Sequence, residues 1–138
     1  MTKLIKIDKL ESNLPKTKVV YYTEDGIKAP VSDWIHRLSE KVKIKCARAI
    51  IRLAENGHEL KRPEADILKR GIYELRIVYN NNQYRILYFF YGRTAAVLTS
   101  GFLKNQDKVP KIEIERAIKC KEKYVQNQKL HTYEEELD

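Results

Sequence analysis

Apolar and polar residues alternate between Ile72 and Ser100, and this pattern predicts three antiparallel strands. Short polar segments separate three runs rich in β-branched and aromatic residues: Ile72–Tyr79, Gln83–Tyr91 and Thr94–Ser100. The first separator is a run of three asparagines, a residue that tolerates the left-handed backbone of a tight hairpin. The second separator is Gly92-Arg93, and the whole stretch reads as a β-meander.

The same alternation assigns the side chains of the first hairpin to two faces. One face is apolar or aromatic throughout: Tyr73, Leu75, Ile77, Tyr79, Tyr84, Ile86, Tyr88 and Phe90. The opposite face carries Arg76 and Arg85. A loop at Asn81-Asn82 would set Val78 opposite Arg85 and leave the two arginines diagonally close. Guanidiniums in mid-sheet need an anion, either a visiting ligand or a carboxylate such as Glu74.

A strand is predicted at Lys18–Thr23, before the turn Glu24-Asp25-Gly26. Two helices are predicted next, from apolar residues spaced three and four apart: Val31, Trp34, Ile35 and Leu38 for the first, and Val42, Cys46, Ala49, Ile50 and Leu53 for the second, which spans Glu40–Glu55. Residues 57–70 read as irregular and basic. Pro110 suits the first turn of a third helix.

These elements predict an α+β fold. We expect a small antiparallel or mixed sheet, made of the strand at about 18–23 and the meander 72–100, with two N-terminal helices packed on one face and a C-terminal helix. The predicted organisation is a leader over residues 1–17, one domain over 18–125 and an acidic C-terminal tail over 126–138.

The charge distribution favours a polyanionic partner. The chain has 138 residues and a formal charge of +8, with an acidic end (Leu130–Asp138) that leaves +12 on residues 1–129. We expect nucleic acid rather than a membrane, the alternative being ordinary solubility. No apolar run reaches the roughly twenty residues of a membrane span, and no secretory signal is recognised. Cys46 and Cys120 lack metal-site spacing and fit a reducing cytoplasm.

Several of these segments, in this order, resemble the RelE/ParE toxin superfamily, in particular its phage-derived HigB-like branch. The resemblance covers roughly residues 18–124 and rests on four motifs: Glu74-Leu75-Arg76, Arg85-Ile86-Leu87-Tyr88-Phe89-Phe90, Gly101-Phe102-Leu103-Lys104 and Pro110. It implies a RelE-like fold and a metal-independent endoribonuclease, without cofactor, that cuts mRNA in the ribosomal A site. It also implies inhibition by a helix-turn-helix, HigA-like antitoxin and a cytoplasmic location.

The resemblance also implies roles for individual residues. Arg76, Arg85 and Lys104 match the catalytic basic residues, with Arg76 and Arg85 at the scissile phosphate. Substrate-binding candidates are basic residues of the flanking loops and one aromatic: Lys61, Lys69, Lys108 and Tyr91. Lys104 is a candidate general acid or a phosphate ligand, and Glu74 is either a base or a structural partner of Arg76.

Two positions depart from the motif of the branch. Ser100 stands where many relatives have histidine, and Asn105 stands where they have a second lysine. A serine hydroxyl does not ionise near neutral pH and cannot replace histidine as an acid–base group, so the chemistry would depend on Lys104 and on substrate positioning. Three alternatives stay open: a nonenzymatic RNA- or ribosome-binding inhibitor of translation, a ParE-like toxin directed at gyrase, and a decayed toxin that only binds.

Overall fold

The computed structural model describes residues 16–134, which form an α+β fold on one six-stranded mixed sheet. The strands are β1 Lys18–Tyr22, β2 Ala65–Lys69, β3 Ile72–Tyr79, β4 Asn82–Tyr91, β5 Ala95–Lys104 and β6 Thr132–Tyr133. The helices are α1 Pro30–His36, α2 Glu40–Asn56, α3 Lys111–Gln126 and α4 Gln128–His131, with a 3₁₀ turn at Gly57–Glu59. The strand order is β2-β3-β4-β5-β1-β6, and only β1 and β5 pair in parallel.

The predicted meander is confirmed, but the predicted hairpin register was wrong. Asn80 and Asn81 have φ angles of 49° and 64°, so the two-residue loop lies one position earlier than Asn81-Asn82. Two successive residues with positive φ are typical of the type I′ turn that matches strand twist. Arg76 is consequently directly opposite Arg85, rather than opposite Leu87. The face assignment survives, because both registers keep the same residues on each side.

The sheet is covered differently on its two faces. One apolar cluster joins the inward side chains of α1 and α2 to the predicted apolar face, and its fully buried members include Val31, Cys46, Leu53, Leu75, Ile86 and Leu98. The other cluster joins α3 to the opposite face and contains Val20, Tyr22, Ile72, Leu87, Phe89, Val97, Ala117 and Tyr124. Trp34 packs against the first cluster, with its ring directly against Gly101.

Local signals explain where the helices begin and end. Ser39 caps α2 by accepting a hydrogen bond from the Val42 amide at 3.4 Å, and Gly57, with φ 54°, ends that helix. Pro110 is the N-cap of α3, one position before the first turn in which the sequence predicted it. The strand predicted at 18–23 and the first helix are also found, as β1 and α1.

Two strands were missed. Residues 57–70 are not wholly irregular, because Ala65–Lys69 forms β2 and pairs with β3. In the segment predicted as a tail, α4 and β6 fold back, and β6 pairs with β1. The ring of His131 stacks on Tyr22 with centroids 5.2 Å apart. Most of the predicted leader and the last four residues of the predicted tail lie outside the described residues.

Candidate functional site

Hairpin β3–β4 brings one carboxylate and two guanidiniums together on the face away from α1 and α2. Glu74 Oε1 accepts a hydrogen bond from Arg76 Nε at 2.9 Å and another from Arg85 Nε at 2.9 Å. Glu74 and Arg85 are only 3% and 4% exposed, whereas the Arg76 side chain is 28% exposed. Because Arg76 and Arg85 are paired across the two strands, the single carboxylate can reach both.

Arg85 donates hydrogen bonds to two further residues besides Glu74. Its terminal nitrogens donate to the Gln83 side-chain oxygen at 3.3 Å, and one of them also donates to the Tyr84 carbonyl at 3.0 Å. Burial lowers the pKa of this guanidinium, although the Glu74 carboxylate opposes the shift. Arginine nevertheless stays charged at physiological pH, so the ion pair persists. The sequence allowed two anions for these arginines, a visiting ligand or a carboxylate such as Glu74. The structure contains the carboxylate of Glu74, bonded to both arginines.

A cavity of about 700 Å³ opens beside this group, between the sheet, the β5–α3 loop and the start of α3. Its lining holds six cationic and three acidic side chains with three aliphatic ones: Arg62, Lys69, Arg76, Lys104, Lys108, Lys111, Asp66, Glu74, Asp107, Leu68, Val109 and Ile114. Arg85 does not reach the lining. The surplus of positive charge suits a phosphate-bearing ligand.

A β-bulge in β5 determines which face Lys104 occupies. Leu87 is opposite Ser100, but the next pair is Tyr88 with Leu98, so Thr99 is the extra residue. Its hydroxyl donates to the Leu87 carbonyl at 3.1 Å. The inserted residue reverses the alternation, and residue 104 therefore shares the face of Glu74 and Arg76 and lines the cavity.

Two residues beside Arg76 were not predicted as site residues. Arg62 and Asp66 form an ion pair at 2.7 Å, and Asp66 lies 3.8 Å from an Arg76 terminal nitrogen. The hydrogen bond from Arg62 lowers the pKa of Asp66, while the carboxylate raises the pKa of Arg62. A strand prediction for residues 65–69 would have revealed this pair, because Asp66 lies opposite Glu74 in the β2–β3 ladder.

The predicted site residues divide into two groups. Lys104, Lys69 and Lys108 line the cavity with Arg76 and Glu74. The Lys104 ammonium itself donates to the carbonyls of Gln106 and Asp107, at 3.1 and 3.0 Å.

The structure does not bring Lys61 or Tyr91 to the cavity. The Tyr91 ring packs edge-on against Tyr124, with centroids 5.0 Å apart. Ser100 Oγ is buried without a hydrogen-bond partner among residues 16–134. No group of three or more potential metal ligands occurs within residues 16–134, and none of the helices described there could cross a membrane.

Comparison with known proteins identifies a family for this chain. Residues 33–122 match the family described as phage-derived protein Gp49-like. The chain belongs to that family. The match runs from α1 to α3 and includes Glu74, Arg76, Arg85 and Lys104. The predicted kinship with phage-derived, HigB-like toxins is thereby confirmed.

Curated relatives are similar over a shorter segment. Two proteins named "Probable endoribonuclease HigB1", from the Mycobacterium tuberculosis strains CDC 1551 / Oshkosh and ATCC 25618 / H37Rv, are each 43% identical to this chain over 51 residues. That segment covers 37% of this chain and 40% of each relative. The chain thus matches about two fifths of the length of these relatives.

Proposed function

We propose that this protein is the toxin of a type II toxin–antitoxin pair, an endoribonuclease that cleaves mRNA on the ribosome without a metal ion. The observation that carries the proposal is Arg76, a partly exposed guanidinium fixed by Glu74 in the wall of the cation-lined cavity. Family membership and the name of the curated relatives support it. So does the α+β fold, with two helices on one face of the mixed sheet and a third on the other.

In the proposed reaction, a ribose 2′-hydroxyl attacks the adjacent phosphorus, and the 5′-oxygen leaves. Negative charge builds on the phosphate oxygens, where a preorganised guanidinium stabilises it. In this proposal Arg76 contacts that phosphate, and Lys104, Lys69 and Lys108, which line the same cavity, hold the flanking backbone. The products would carry a 2′,3′-cyclic phosphate and a 5′-hydroxyl.

Arg85 has a different role in this proposal from the one that the resemblance implies. Buried and bonded to Glu74, Gln83 and Tyr84, it acts as a positioning residue: it fixes Glu74, which in turn fixes the guanidinium of Arg76. Substitution of Arg85 should therefore reduce kcat through a misplaced Arg76. Arg85→Lys keeps the charge but cannot reproduce all of these bonds, so we expect it to recover activity only in part.

Proton transfer is assigned to Glu74, as the base that takes the proton of the 2′-hydroxyl, and to Lys104, as the acid that gives a proton to the leaving 5′-oxygen. Glu74 lines the cavity, and the hydrogen bonds from Arg76 and Arg85 both end on its Oε1, so Oε2 is the oxygen that we propose accepts the proton of the 2′-hydroxyl. Glu74→Gln separates this role from a purely structural one. Loss of a base should lower kcat by about 10²- to 10⁴-fold and alter the pH–rate profile. A structural role predicts a smaller change and an unaltered profile.

Dependence on the ribosome follows from the sparse set of acid–base groups. Ordering the mRNA with its 2′-hydroxyl in line can supply much of the rate enhancement, so the toxin need only stabilise charge. We therefore infer weak cleavage of free RNA and strong cleavage during translation. The partner that inhibits the toxin would be an antitoxin of the helix-turn-helix, HigA-like kind.

The deciding experiment expresses the wild-type chain and Arg76→Ala in bacteria and maps mRNA 5′-hydroxyl ends. Arg93→Ala is the matched control, since Arg93 is an exposed arginine in the β4–β5 turn. We expect codon-phased cuts for the wild type and the control, and a loss of about 10²-fold or more for Arg76→Ala. Persistence of the cuts in Arg76→Ala would show that the assignment is wrong.

A nonenzymatic inhibitor of translation is the second candidate. It is favoured by the engagement of both central guanidiniums with Glu74 and by Ser100, which has no group that titrates near neutral pH. Growth arrest without new 5′-hydroxyl ends would identify it. DNA damage without mRNA loss would instead identify a gyrase-directed toxin.

A further inference from the structure

Strand β3 has a free edge over its last residues. Strand β2 pairs with β3 only as far as Leu75, and the last bond on that side runs from the Arg76 amide to the Glu64 carbonyl at 2.9 Å. Backbone groups alternate between the two sides of a strand, so the amide and carbonyl of Val78 point the same way as those of Arg76. No strand within residues 16–134 lies there to receive them.

A basic groove of about 220 Å³ lies along this edge, between β3 and α2. Its lining contains four cationic side chains and one acidic one, together with small or apolar residues: Lys45, Arg48, Arg52, Arg76, Glu64, Ala49, Ile77 and Val78. Glu64 is already bonded to Arg52 through both oxygens, at 2.7 and 2.8 Å. Lys45 and Arg48 have no carboxylate partner in the described part of the chain.

The unpaired backbone groups of β3 and the nearby cations Lys45 and Arg48 together indicate what kind of ligand the groove binds. An open sheet edge takes another polypeptide strand, because only a polypeptide supplies alternating amides and carbonyls at the required spacing. The surplus of positive charge selects acidic side chains on that strand. We propose that this groove binds an extended acidic peptide segment, which adds to the sheet as a further strand beside Arg76, Ile77 and Val78.

Arg76 connects the groove to the cavity, because it lines both. Every second side chain of a strand added at this edge points to the face of Glu74 and Arg76. A carboxylate at such a position would compete with phosphate for the Arg76 guanidinium. The bound segment would thus inhibit cleavage without entering the cavity. This step rests on the proposed function, whereas the binding itself does not, and under that function the segment would belong to the protein that neutralises the toxin.

The test uses fluorescence anisotropy of a labelled synthetic peptide of alternating glutamate and valine, with the full-length protein. The comparison peptide has the same sequence but is N-methylated at every second residue, which removes its edge-pairing amides and keeps its charge. We expect saturable binding of the first peptide and affinity at least about tenfold lower for the second.

Protein variants locate the site. Val78→Pro removes the outward amide but no bond to β4, so the fold should persist, as circular dichroism would verify. We expect it, and the double variant Lys45→Glu with Arg48→Glu, to weaken peptide binding by about tenfold or more. The controls are Val78→Thr and the equally charged double variant Lys119→Glu with Lys129→Glu, each expected within about twofold of the wild type.

Three outcomes would overturn the proposal: no saturable binding, equal binding of the N-methylated peptide, or equal weakening by the control variants. A fourth is preferential loss of single-stranded RNA binding in Lys45→Glu with Arg48→Glu, which would make the groove a nucleic-acid surface. Should Val78→Pro unfold, the two peptides still decide the matter on the wild type. Because anisotropy requires no cleavage, failure of the proposed nuclease activity would be seen separately. If cleavage is found, peptide at a concentration that just saturates the wild type should inhibit the wild type fully and that double variant much less.

Discussion

The two faces of the sheet have different interiors, although the same strands build both. The face covered by α1 and α2 is aliphatic and aromatic along the length of the β3–β4 hairpin. The other face is apolar only where α3 lies on it, at residues such as Leu87 and Phe89. Beyond that helix the same face carries Glu74, Arg76 and Arg85. A charged cluster at the border of an apolar face marks where the fold leaves room for a ligand.

This difference separates the part of the molecule that stabilises the fold from the part that does the chemistry. Apolar burial contributes stability in proportion to the area removed from water. A buried ion pair contributes little net stability, because desolvation of the charges offsets their attraction. Glu74 and Arg85 are therefore poorly explained as stabilising residues, and better explained by a need for fixed guanidinium geometry.

The largest effect is expected from Glu74→Ala. Removing the carboxylate leaves Arg85 buried without its partner, which should lower the free energy of unfolding by about 3–5 kcal/mol. Urea denaturation would measure the loss, with Glu122→Ala as a control, because Glu122 is exposed. A loss below about 1 kcal/mol would mean that water reaches Arg85 readily and that the two faces are less different than described.

Leu53→Ala tests the apolar face. Leu53, on the inward side of α2, is fully buried, and truncation should lower the free energy of unfolding by about 3 kcal/mol through the cavity that it leaves. Unlike Glu74→Ala, it should not change the kcat of the folded fraction, because α2 holds none of the proposed catalytic groups. An equal loss of kcat in the two variants would contradict the separation of stability from chemistry.

Thr99→Val tests the bulge in β5. The variant leaves the Leu87 carbonyl without its hydroxyl donor, so we expect a loss of about 1 kcal/mol in the free energy of unfolding. Because the bulge positions Lys104, we also expect kcat for RNA cleavage to fall. Expressed as a free energy, that fall should exceed the loss in the free energy of unfolding. Thr94→Val, at an exposed position just before β5, is the control and should change neither quantity.

Asp66→Asn should give the smallest effect, and one that depends on pH. The hydrogen bond from Arg62 lowers the pKa of Asp66 below its ordinary value of 3.8. A depressed folded-state pKa contributes stability above the unfolded-state pKa, and that contribution is lost as the pH falls through the folded-state pKa. The stability difference between wild type and variant should therefore be largest near neutrality and vanish in strong acid. Urea denaturation at several pH values would check this; a constant difference would contradict it.

Sequence alone located the charged face but not its geometry. Alternation placed Arg76 and Arg85 together, because a strand has only two faces and the apolar set identifies one of them. The predicted β3–β4 register was wrong because the loop is a run of three asparagines, and either adjacent pair can form a type I′ turn. Only tertiary packing distinguishes these two loops.

Other features left weaker signals in the sequence. Strand β2 has Ala65 as its one buried residue, and Ile67 is 58% exposed, so no apolar alternation marks it. Strand β6 has two residues, too few for any period. The bulge at Thr99 depends on pairing with β4, which a single strand does not encode. Arg62 and Asp66 were missed for the same reason, since their neighbourhood exists only after β2 pairs with β3.

That one-residue offset at Thr99 lets a single continuous strand serve two compartments. Its first half supplies Ala96 and Leu98 to the interior beneath the N-terminal helices. Its second half sends Phe102 toward α3 and Lys104 to the cavity. The number of residues in β5 before Lys104 thus decides on which face its ammonium lies. Deleting residue 99 would move the lysine to the other face of the sheet, although no residue of the site would have been changed.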